Sequence, residues 1–357
     1  MRPQADVPLA PFTTLGIGGP ARWFARATTT EEVAAAHRWA REENLPLFVL
    51  GGGSNLVIAD AGFDGLVVQV AIRGTAVTQR GAETMFRVGA GEPWDDVVAA
   101  AVGRGLAGLE CLSGIPGSVG GTPVQNVGAY GQEVAEMIGE VTAFDLAAAR
   151  VVTMRSAECG FAYRTSRFKR DDAGRFVICL VSFTLRPGPP TITYPDVVNC
   201  FKDRARASVT LAEVRQAVLA IRRRKGMVID AADPDTRSVG SFFVNPVVEA
   251  GVHGRLAAAS GGAAPGFPMP GGQVKIPAAW LIERAGFARG TRRGRAGLSS
   301  KHPLAIINCG GASARDVLEL AAEVKRRVAE RFGIALRPEP VFVGFADDPD
   351  VAYLLEA

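Results

Sequence analysis

Two glycine-rich loops are the parts of this sequence whose residue types most directly suggest ligand chemistry. The first, 51-GGGSN-55, follows the short apolar run 47–50, and the second is 114-GIPGSVGG-121. Glycines leave backbone N–H groups uncovered, and such groups bind anions, phosphates above all. Neither loop has the spacing of a dinucleotide fingerprint or a P-loop, and the first alone fits a plain tight turn equally well. Together they suggest one extended ligand held from both sides, with a pyrophosphate between the loops.

A third segment, 238-SVGSFFVNP-246, places the hydroxyl of Ser241 between a glycine and two phenylalanines. On its own this segment fits a strand that begins with a serine as well as it fits a reactive hydroxyl. Cysteines and histidines are few: Cys111, Cys159, Cys179, Cys200, Cys309, His37, His253 and His302. They include no C-x-x-C pair and no H-x-x-x-H pair, which argues against a disulfide framework and against a metal site.

Helix and strand signals surround these loops. Helices are predicted over 30–43, 93–105, 210–225 and 313–333, and strands over 47–50, 56–58, 66–70, 84–91, 177–185 and 334–344. Capping residues support three of the helices: Thr29 or Thr30 for the first, the Thr210–Glu213 pair for the third, and Ser313 with Gly333 for the last. The first 70 residues therefore form a small α/β unit with a glycine loop at a strand end.

Composition and charge limit the class of protein. With 357 residues, 48% of them hydrophobic and 21% charged, the chain is an ordinary globular protein of two or three domains. A net charge of +4, with basic runs at 222–225 and 289–295 but no interleaved aromatic residues, argues against nucleic acid and favours a small anionic substrate. Because no apolar signal segment or membrane span is present, we expect a cytoplasmic protein.

Seven blocks occur in a familiar order: 14-TLGIGGPA-21, 51-GGGSNLVI-58, 109-LECLSGIPGSVGGTPVQNVGAYGQEV-134, 161-FAYRTSRFK-169, 238-SVGSFFVNPVV-248, 280-WLIERAGF-287 and 338-PEPVFVG-344. They resemble those of the UDP-N-acetylenolpyruvoylglucosamine reductases, the flavoenzymes that complete UDP-N-acetylmuramate for bacterial peptidoglycan. The resemblance spans nearly the whole chain. Two positions depart from it: Thr13, where the family often has asparagine, and Pro340, where many relatives carry a β-branched residue.

The resemblance implies an α+β chain with a vanillyl-alcohol-oxidase-type (PCMH-type) FAD-binding fold. Two α/β subdomains, 1–70 and 71–205, would bind FAD, and a third α+β domain, 206–333, would bind the substrate. Residues 334–357 would form a C-terminal strand and tail that return to the active site. FAD is expected to be non-covalent, because neither glycine loop contains a histidine or cysteine to which the flavin could be attached.

The same resemblance implies roles for individual residues. Around the FAD pyrophosphate it places Gly52, Gly53, Ser54, Asn55, Gly117, Ser118, Gly121, Gln125, Asn126 and Gly128. At the substrate it places Tyr194, Lys225 and Asn245. The implied catalytic residues are Ser241 as proton donor, Arg164 as partner of the substrate carboxylate, and Glu339. Glu339 would activate the intermediate or relay a proton, and the division of labour between Arg164 and Glu339 stays open.

The predicted activity is the NADPH-dependent reduction, through FAD, of the enolpyruvyl group of UDP-N-acetylglucosamine enolpyruvate. The alternative is an FAD-linked oxidase or dehydrogenase acting on a hydroxy acid or sugar alcohol, for which His302 is the only candidate base. A non-catalytic nucleotide-binding protein is a third alternative, which loss of Ser241, Arg164 or Glu339 would have favoured. We expect a UDP-sugar as partner, with no nucleic acid and no membrane insertion. The oligomeric state is open, with a monomer slightly favoured.

Overall fold

The structure, a computed structural model, describes residues 2–259 and 264–356, and these residues form two compact units. The first unit comprises the residues up to Val7 together with Ala21–Gly53 and Asp64–Arg224. The second comprises Pro8–Pro20, Ser54–Phe63 and the described residues from Lys225 onwards. The chain therefore passes from one unit to the other inside the first glycine loop. The domain boundaries predicted after residues 70, 205 and 333 stay a prediction.

The strands of the described residues are short in most cases. In chain order they are β1 (Gln4–Pro8), β2 (Pro20–Ala27), β3 (Leu47–Leu50), β4 (Leu56–Ile58), β5 (Phe63–Val70), β6 (Thr75–Arg80), β7 (Glu83–Gly89), β8 (Leu106–Ala107), β9 (Gly128–Ala129), β10 (Gln132–Glu133), β11 (Ile138–Asp145), β12 (Arg150–Arg155), β13 (Phe176–Pro187), β14 (Val247–Glu249), β15 (Phe267–Pro268), β16 (Gln273–Lys275), β17 (Arg292–Arg293), β18 (Ala296–Leu298), β19 (Ile306–Asn308) and β20 (Val341–Val343).

The helices confirm the capping signals of the sequence. In chain order they are α1 (Thr30–Glu42), α2 (Trp94–Gly103), α3 (Pro195–Cys200), α4 (Leu211–Arg224), α5 (Ala250–Ala259), α6 (Ala278–Arg284), α7 (Ala314–Phe332) and α8 (Pro349–Leu355). Thr29 caps α1, and Ser313 caps α7 by accepting the N–H of Asp316. Gly333 ends α7 in the left-handed conformation, as a C-terminal glycine does. None of the described helices combines the length and apolar character that a membrane crossing requires.

The first unit contains a four-stranded sheet in the order β1-β2-β5-β3 and a larger, mainly antiparallel sheet in the order β12-β11-β13-β7-β6. One hydrophobic core, which includes Leu66, Phe86, Trp94 and Phe183, joins these sheets to α1 and α2. Helix α4 packs within this unit, against the turn at Glu110–Leu112. Its N-terminus carries the predicted capping box, in which Thr210 and Glu213 each accept the other's backbone N–H.

The second unit is built around α7, whose apolar face packs with Phe242, Phe243 and Leu281 in a separate core. Two three-stranded sheets, β14-β16-β15 and β17-β18-β19, belong to it, together with the parallel pair formed by β20 and β4. The parallel pairing brings the strand that follows the first glycine loop beside the strand near the C-terminus. Sequence residues that lie far apart are thereby placed next to each other.

Two parts of the second unit differ from expectation. The predicted strand 334–344 is reduced to β20, because Pro338 and Pro340 remove two backbone N–H donors just before it. The run 249–272, for which the sequence predicted no helix or strand, contains α5 and β15 and leads into β16. Residues 260–263 of that run lie outside the described residues, whereas the tail after Gly344 contains α8.

Candidate active site

The two glycine loops lie against each other in the first unit. A methyl group added at Gly52 would come within 2.6 Å of the Cα of Gly117 and of the backbone nitrogen of Ser118. Backbone therefore meets backbone here, with no room for a side chain. Gly53 and Gly117 both have positive φ, at 64° and 117°, so glycine is required for conformation as well as for space. The sequence predicted two loops on one ligand, and the structure brings them together.

The hydroxyl of Ser118 has the character of a ligand-binding group. Its Oγ is buried and has no hydrogen-bond partner among the described residues. A buried hydroxyl without a partner is costly, and a ligand oxygen would supply what is lacking. The second loop is itself held rigidly, since Trp94 N–H donates to Gly117 O and Val119 N–H donates to Glu92 O. The close glycine contact and the unsatisfied hydroxyl together fit a phosphate-bearing cofactor.

Replacing Gly52 with alanine is expected to abolish tight flavin binding, because the added methyl pushes the two loops apart. A contact of 2.6 Å to backbone atoms cannot be relieved by a side-chain rotation. Flavin retained through gel filtration measures the effect, and Gly103→Ala is the matched control because its added methyl meets open space. Full flavin retention by Gly52→Ala would contradict the assignment of the two glycine loops to the cofactor site.

Asp95 connects the second loop to α4. Its carboxylate accepts the N–H of Gly114 at 2.6 Å and binds Arg215 in bidentate fashion, at 2.6 and 2.8 Å. Burial acts to raise the pKa of Asp95, but the hydrogen bonds from Arg215 and Gly114 outweigh it, so the pKa is lowered. The charged form is thus favoured, and it fixes the loop relative to the helix.

The remaining predicted cofactor residues of this unit differ in burial and in the hydrogen bonds that they make within the protein. Asn126 is buried at positive φ, and its amide donates to Glu133 and to the carbonyl of Ala162 while accepting from Ala135. Its side chain therefore serves the protein, and any contact with a cofactor would come from the backbone. Gly121 is exposed and donates its N–H to Ser118, and Gln125 is half-buried.

Arg164 projects from a strained two-residue turn. Ala162 and Thr165 exchange both backbone hydrogen bonds at 3.0 Å, and Arg164 between them has a φ of 55°. Left-handed backbone costs an arginine about 1 kcal/mol or more, and strain of this kind is retained chiefly at functional sites. The guanidinium lies near Gly128, where an added methyl would be 3.3 Å from Nη1, and its carbon lies 5.7 Å from the Tyr163 ring centre.

Arg222 and Tyr130 are neighbours of Arg164 that the sequence did not identify. Arg222 is 8% exposed, and burial lowers its pKa, while Tyr130 and Asp95 act to raise it and Arg164 acts to lower it. Two guanidinium groups therefore lie near each other here, as they would at a site for anions. Arg222 lies four residues after Val218 on the buried stripe of α4, and this position was the available signal. In the sequence, Arg222 was only one of four residues in the basic run 222–225.

Tyr130 and Tyr194 form an edge-to-face pair with ring centres 5.4 Å apart. Tyr130 occupies the two-residue turn between β9 and β10, with positive φ at both Tyr130 and Gly131. Buried Glu110 links the two chain segments that carry the pair, because its carboxylate accepts hydrogen bonds from the Gln132 side chain and from the N–H of Thr191. Tyr194 itself, a predicted substrate residue, is 42% exposed and precedes α3.

The segment that carries Ser241 is fixed on both sides in the second unit. Thr14 donates to the carbonyl of Ser238 at 2.6 Å, and Ser238 Oγ accepts the N–H of Gly240, which has a φ of 75°. Phe242 and Phe243 are fully buried, with ring centres 5.2 Å apart. Ser241 is half-buried, and its hydroxyl has no hydrogen-bond partner among the residues the structure describes. The serine is thus held by its neighbours and keeps its own proton available.

Glu339 lies beside this segment. Its N–H donates to the carbonyl of Phe242 at 2.8 Å, and Val244 N–H donates to Arg337 O at 3.0 Å. These two bonds form a short antiparallel bridge between the serine segment and the chain before β20. Two of the three predicted catalytic residues, Ser241 and Glu339, are therefore close along paired backbones in one unit, while Arg164 belongs to the other unit.

The side chains of Asn245 and His302 each accept a hydrogen bond from a backbone N–H. Asn245 Oδ1 accepts the N–H of Ala278 at 2.9 Å, so it caps α6. His302 Nδ1 accepts the N–H of Leu304 at 3.1 Å, which leaves that nitrogen unable to act as the base that an oxidase needs. Lys225 follows directly after α4 and is half-buried.

Comparisons with known proteins agree with this arrangement. A family model described as FAD binding domain matches residues 21–155, and one described as the C-terminal domain of UDP-N-acetylenolpyruvoylglucosamine reductase matches residues 233–343. The reductase of that name from Thermobifida fusca is 49% identical over 95% of this chain and 97% of its own length. The one from Streptomyces coelicolor is 47% identical over 96% of this chain and 90% of its own length.

The chain belongs to the UDP-N-acetylenolpyruvoylglucosamine reductase family. A solved structure of the UDP-N-acetylenolpyruvylglucosamine reductase from Thermus caldophilus superposes with a TM-score of 0.66 at 28% identity, covering 96% of this chain and 99% of that one. The predicted family, the FAD-binding fold, and the cofactor FAD with NADPH as co-substrate are confirmed for this reductase. So is the predicted place of the enzyme in peptidoglycan synthesis, and the oxidase alternative is not favoured.

Proposed function

We propose that this reductase adds a hydride and a proton across the enolpyruvyl double bond of a UDP-sugar, with Ser241, Arg164 and Glu339 as its catalytic residues. The observation that carries the proposal is the pairing of the Ser241 segment with Glu339, because it places a hydroxyl and a carboxylate on adjacent backbones. NADPH is consumed and the lactyl ether of UDP-N-acetylmuramate is produced, so one hydride and one proton enter the substrate.

The first unit would hold the cofactor. When bound, FAD supplies the hydride that NADPH has delivered. Gly52, Gly117 and Ser118 would bind its pyrophosphate, and the unsatisfied hydroxyl of Ser118 and the tight backbone contact support this assignment. Gly53, Gly121, Gln125, Asn126 and Gly128 are the other proposed cofactor residues of this unit, and the proposed set also includes Ser54 and Asn55 of the second unit.

Ser241 is the proposed proton donor. Hydride addition conjugate to a carboxylate leaves an enolate, which is basic enough to take a proton even from a hydroxyl that points at the right carbon. The buried pair Phe242 and Phe243 anchors the segment, and the bond from Thr14 to Ser238 fixes its other end. A rigid backbone with an uncommitted hydroxyl is what such a donor needs, because geometry and not acidity then sets the rate.

Arg164 is the proposed partner of the substrate carboxylate. A guanidinium binds a carboxylate through two parallel hydrogen bonds, and it stabilises the negative charge that spreads over the enolate. The strained turn supports this role, because the backbone conformation aims the side chain at an energetic cost. Arg222, whose pKa Arg164 acts to lower, adds positive charge to the same region.

Glu339 is the proposed third catalytic residue, which relays a proton or activates the intermediate. Tyr194, Lys225 and Asn245 are the proposed substrate residues. Since Asn245 Oδ1 is committed to the N–H of Ala278, the amide group left to meet a ligand is the donor Nδ2. A donor is the correct group for a diphosphate oxygen, which only accepts hydrogen bonds.

We propose that the substrate is a small UDP-sugar and that the enzyme works in the cytoplasm. Two of the four arginines in the basic run 289–295, which could have suggested nucleic acid, are paired with acidic side chains: Arg289 with Glu283, and Arg293 with Glu319 and Glu323. The cysteines are unpaired thiols, as is usual in a reducing compartment. We propose a monomer as the working form.

A steady-state assay tests the proposal. The purified protein is expected to show a flavin absorbance spectrum and to consume NADPH rapidly only when UDP-N-acetylglucosamine enolpyruvate is present. UDP-N-acetylglucosamine, which lacks the enolpyruvyl group, serves as the control ligand. NADPH consumption that is equally fast with the control ligand, or with no UDP-sugar, would refute the proposed substrate.

A further inference from the structure

We infer that Asn55 is a positioning residue for Glu339, through which the first glycine loop sets the place of the catalytic carboxylate. The inference rests on the proposed function of Glu339. The Asn55 side-chain nitrogen donates to the carbonyl of Glu339 at 3.2 Å, across 284 residues of sequence. The carbonyl of Asn55 in turn accepts the N–H of Val341 at 3.0 Å. Asn55 therefore holds the chain on both sides of Pro340, at Glu339 and at Val341.

The backbone of Glu339 is fully committed. Its N–H donates to Phe242 O at 2.8 Å, and its C=O accepts from Asn55. Pro338 and Pro340 on either side fix their own φ and restrict the residue before each of them to extended conformations. With little rotational freedom left in the backbone, the two hydrogen bonds fix the point from which the Glu339 side chain starts. Only one of those two bonds comes from a side chain, and that side chain is Asn55.

The chain path gives this contact its significance. Asn55 directly follows Gly52, Gly53 and Ser54, the residues proposed to contact the cofactor pyrophosphate, and it directly precedes β4. Strand β4 runs parallel to β20, with Leu56 opposite Val341 and Ile58 opposite Val343. The ladder holds β20 but begins two residues after Glu339. The hydrogen bond from the Asn55 amide extends this restraint to Glu339 itself.

Removing the amide separates positioning from folding. Asn55→Ala deletes the donor to Glu339 and leaves the backbone bond to Val341 and the β4–β20 pairing in place. Asn55→Asp also lacks the donor but keeps the side-chain size and adds a negative charge beside the proposed pyrophosphate site. Val341→Ala is the matched control, because it shortens an exposed side chain two residues after Glu339 and keeps the backbone bond to Asn55. The three variants thus differ in charge and in the Glu339 contact.

The test measures two half-reactions by stopped flow at saturating FAD, with FAD affinity and melting temperature measured alongside. Loss of flavin absorbance with NADPH reports the first, and its recovery with UDP-N-acetylglucosamine enolpyruvate under anaerobic conditions reports the second. In Asn55→Ala and Asn55→Asp we expect the recovery to slow by about 10- to 100-fold more than the reduction by NADPH does, the penalty of a misplaced catalytic group. Asn55→Asp should also bind FAD most weakly, and Val341→Ala should keep the wild-type rate of both half-reactions.

Two results would overturn the inference. Equal slowing of both half-reactions would mean that Asn55 serves the cofactor alone, and an unchanged recovery rate in Asn55→Ala would mean that Glu339 does not depend on it. The proposed function fails in a different way, since the reduced wild-type enzyme would then show no recovery with the UDP-sugar. Melting temperatures close to that of the wild-type enzyme exclude misfolding as the cause of a slow recovery.

Discussion

Replacing Ser241 with alanine is expected to stop the recovery of flavin absorbance by the UDP-sugar while its loss with NADPH proceeds at the wild-type rate. The proposed donor gives a proton only to the substrate, and no proton from it is needed when NADPH delivers its hydride. General acid catalysis contributes about 10²- to 10⁴-fold, so we expect the second half-reaction to slow by that factor. Anaerobic stopped-flow spectroscopy measures both rates in one preparation.

Ser238→Ala is the matched control for this substitution. Ser238 lies in the same segment, and its hydroxyl accepts the N–H of Gly240. Its removal is expected to cost about 1 kcal/mol of unfolding free energy and to leave most of the recovery rate. If Ser241→Ala slowed both half-reactions to the same extent, Ser241 would have a structural role and the proton donor would have to be sought elsewhere.

Replacing Arg164 with lysine is expected to lower kcat/KM for the UDP-sugar by about 10²- to 10³-fold, which is the usual effect of losing a charge-stabilising donor. Lysine keeps the positive charge but offers no planar pair of donors for a carboxylate. Because the lost bonds strengthen as the enolate forms, kcat should fall more than KM rises. Steady-state kinetics with varied UDP-sugar and saturating NADPH separate the two constants.

Arg164→Gly distinguishes the side chain from its strained backbone. Glycine adopts the φ of 55° without strain, so this variant should unfold at or above the wild-type temperature while losing activity at least as strongly as Arg164→Lys. Stability and activity would then change in opposite directions, as expected where strain is retained for function. Wild-type kcat/KM in Arg164→Lys would exclude a bidentate carboxylate contact.

Local signals predicted most of the elements around the site, because each depends on neighbouring residues. The strand 47–50, the capped helix that begins at Thr30 and the helix that ends at Gly333 are all observed. The end of the chain was predicted less well. A strand was expected from residue 334, yet a strand forms only from Val341, and the chain before it makes a single isolated bridge at Pro338. The two prolines before Val341 cannot donate to a neighbouring strand.

The relations between distant residues could not be read from local patterns. Arg222 was hidden in a run of four basic residues, and only its place on the buried stripe of α4 distinguishes it from exposed Arg223 and Arg224. The bond from Asn55 to Glu339 joins residues with no common motif. Asn126 illustrates the reverse case: the family resemblance implies a cofactor contact, whereas the structure commits its side chain to Glu133, Ala162 and Ala135.

If a hydride and a proton enter the enolpyruvyl group of a UDP-sugar, the ratio of product formed to NADPH consumed must be one. The purified enzyme is incubated anaerobically with limiting NADPH and excess UDP-N-acetylglucosamine enolpyruvate, and the nucleotide sugars are then separated and identified by mass spectrometry. We predict one molecule of UDP-N-acetylmuramate, heavier than the substrate by two hydrogens, for each NADPH consumed. NADPH consumed without that product, or with an oxidised sugar in its place, would contradict it.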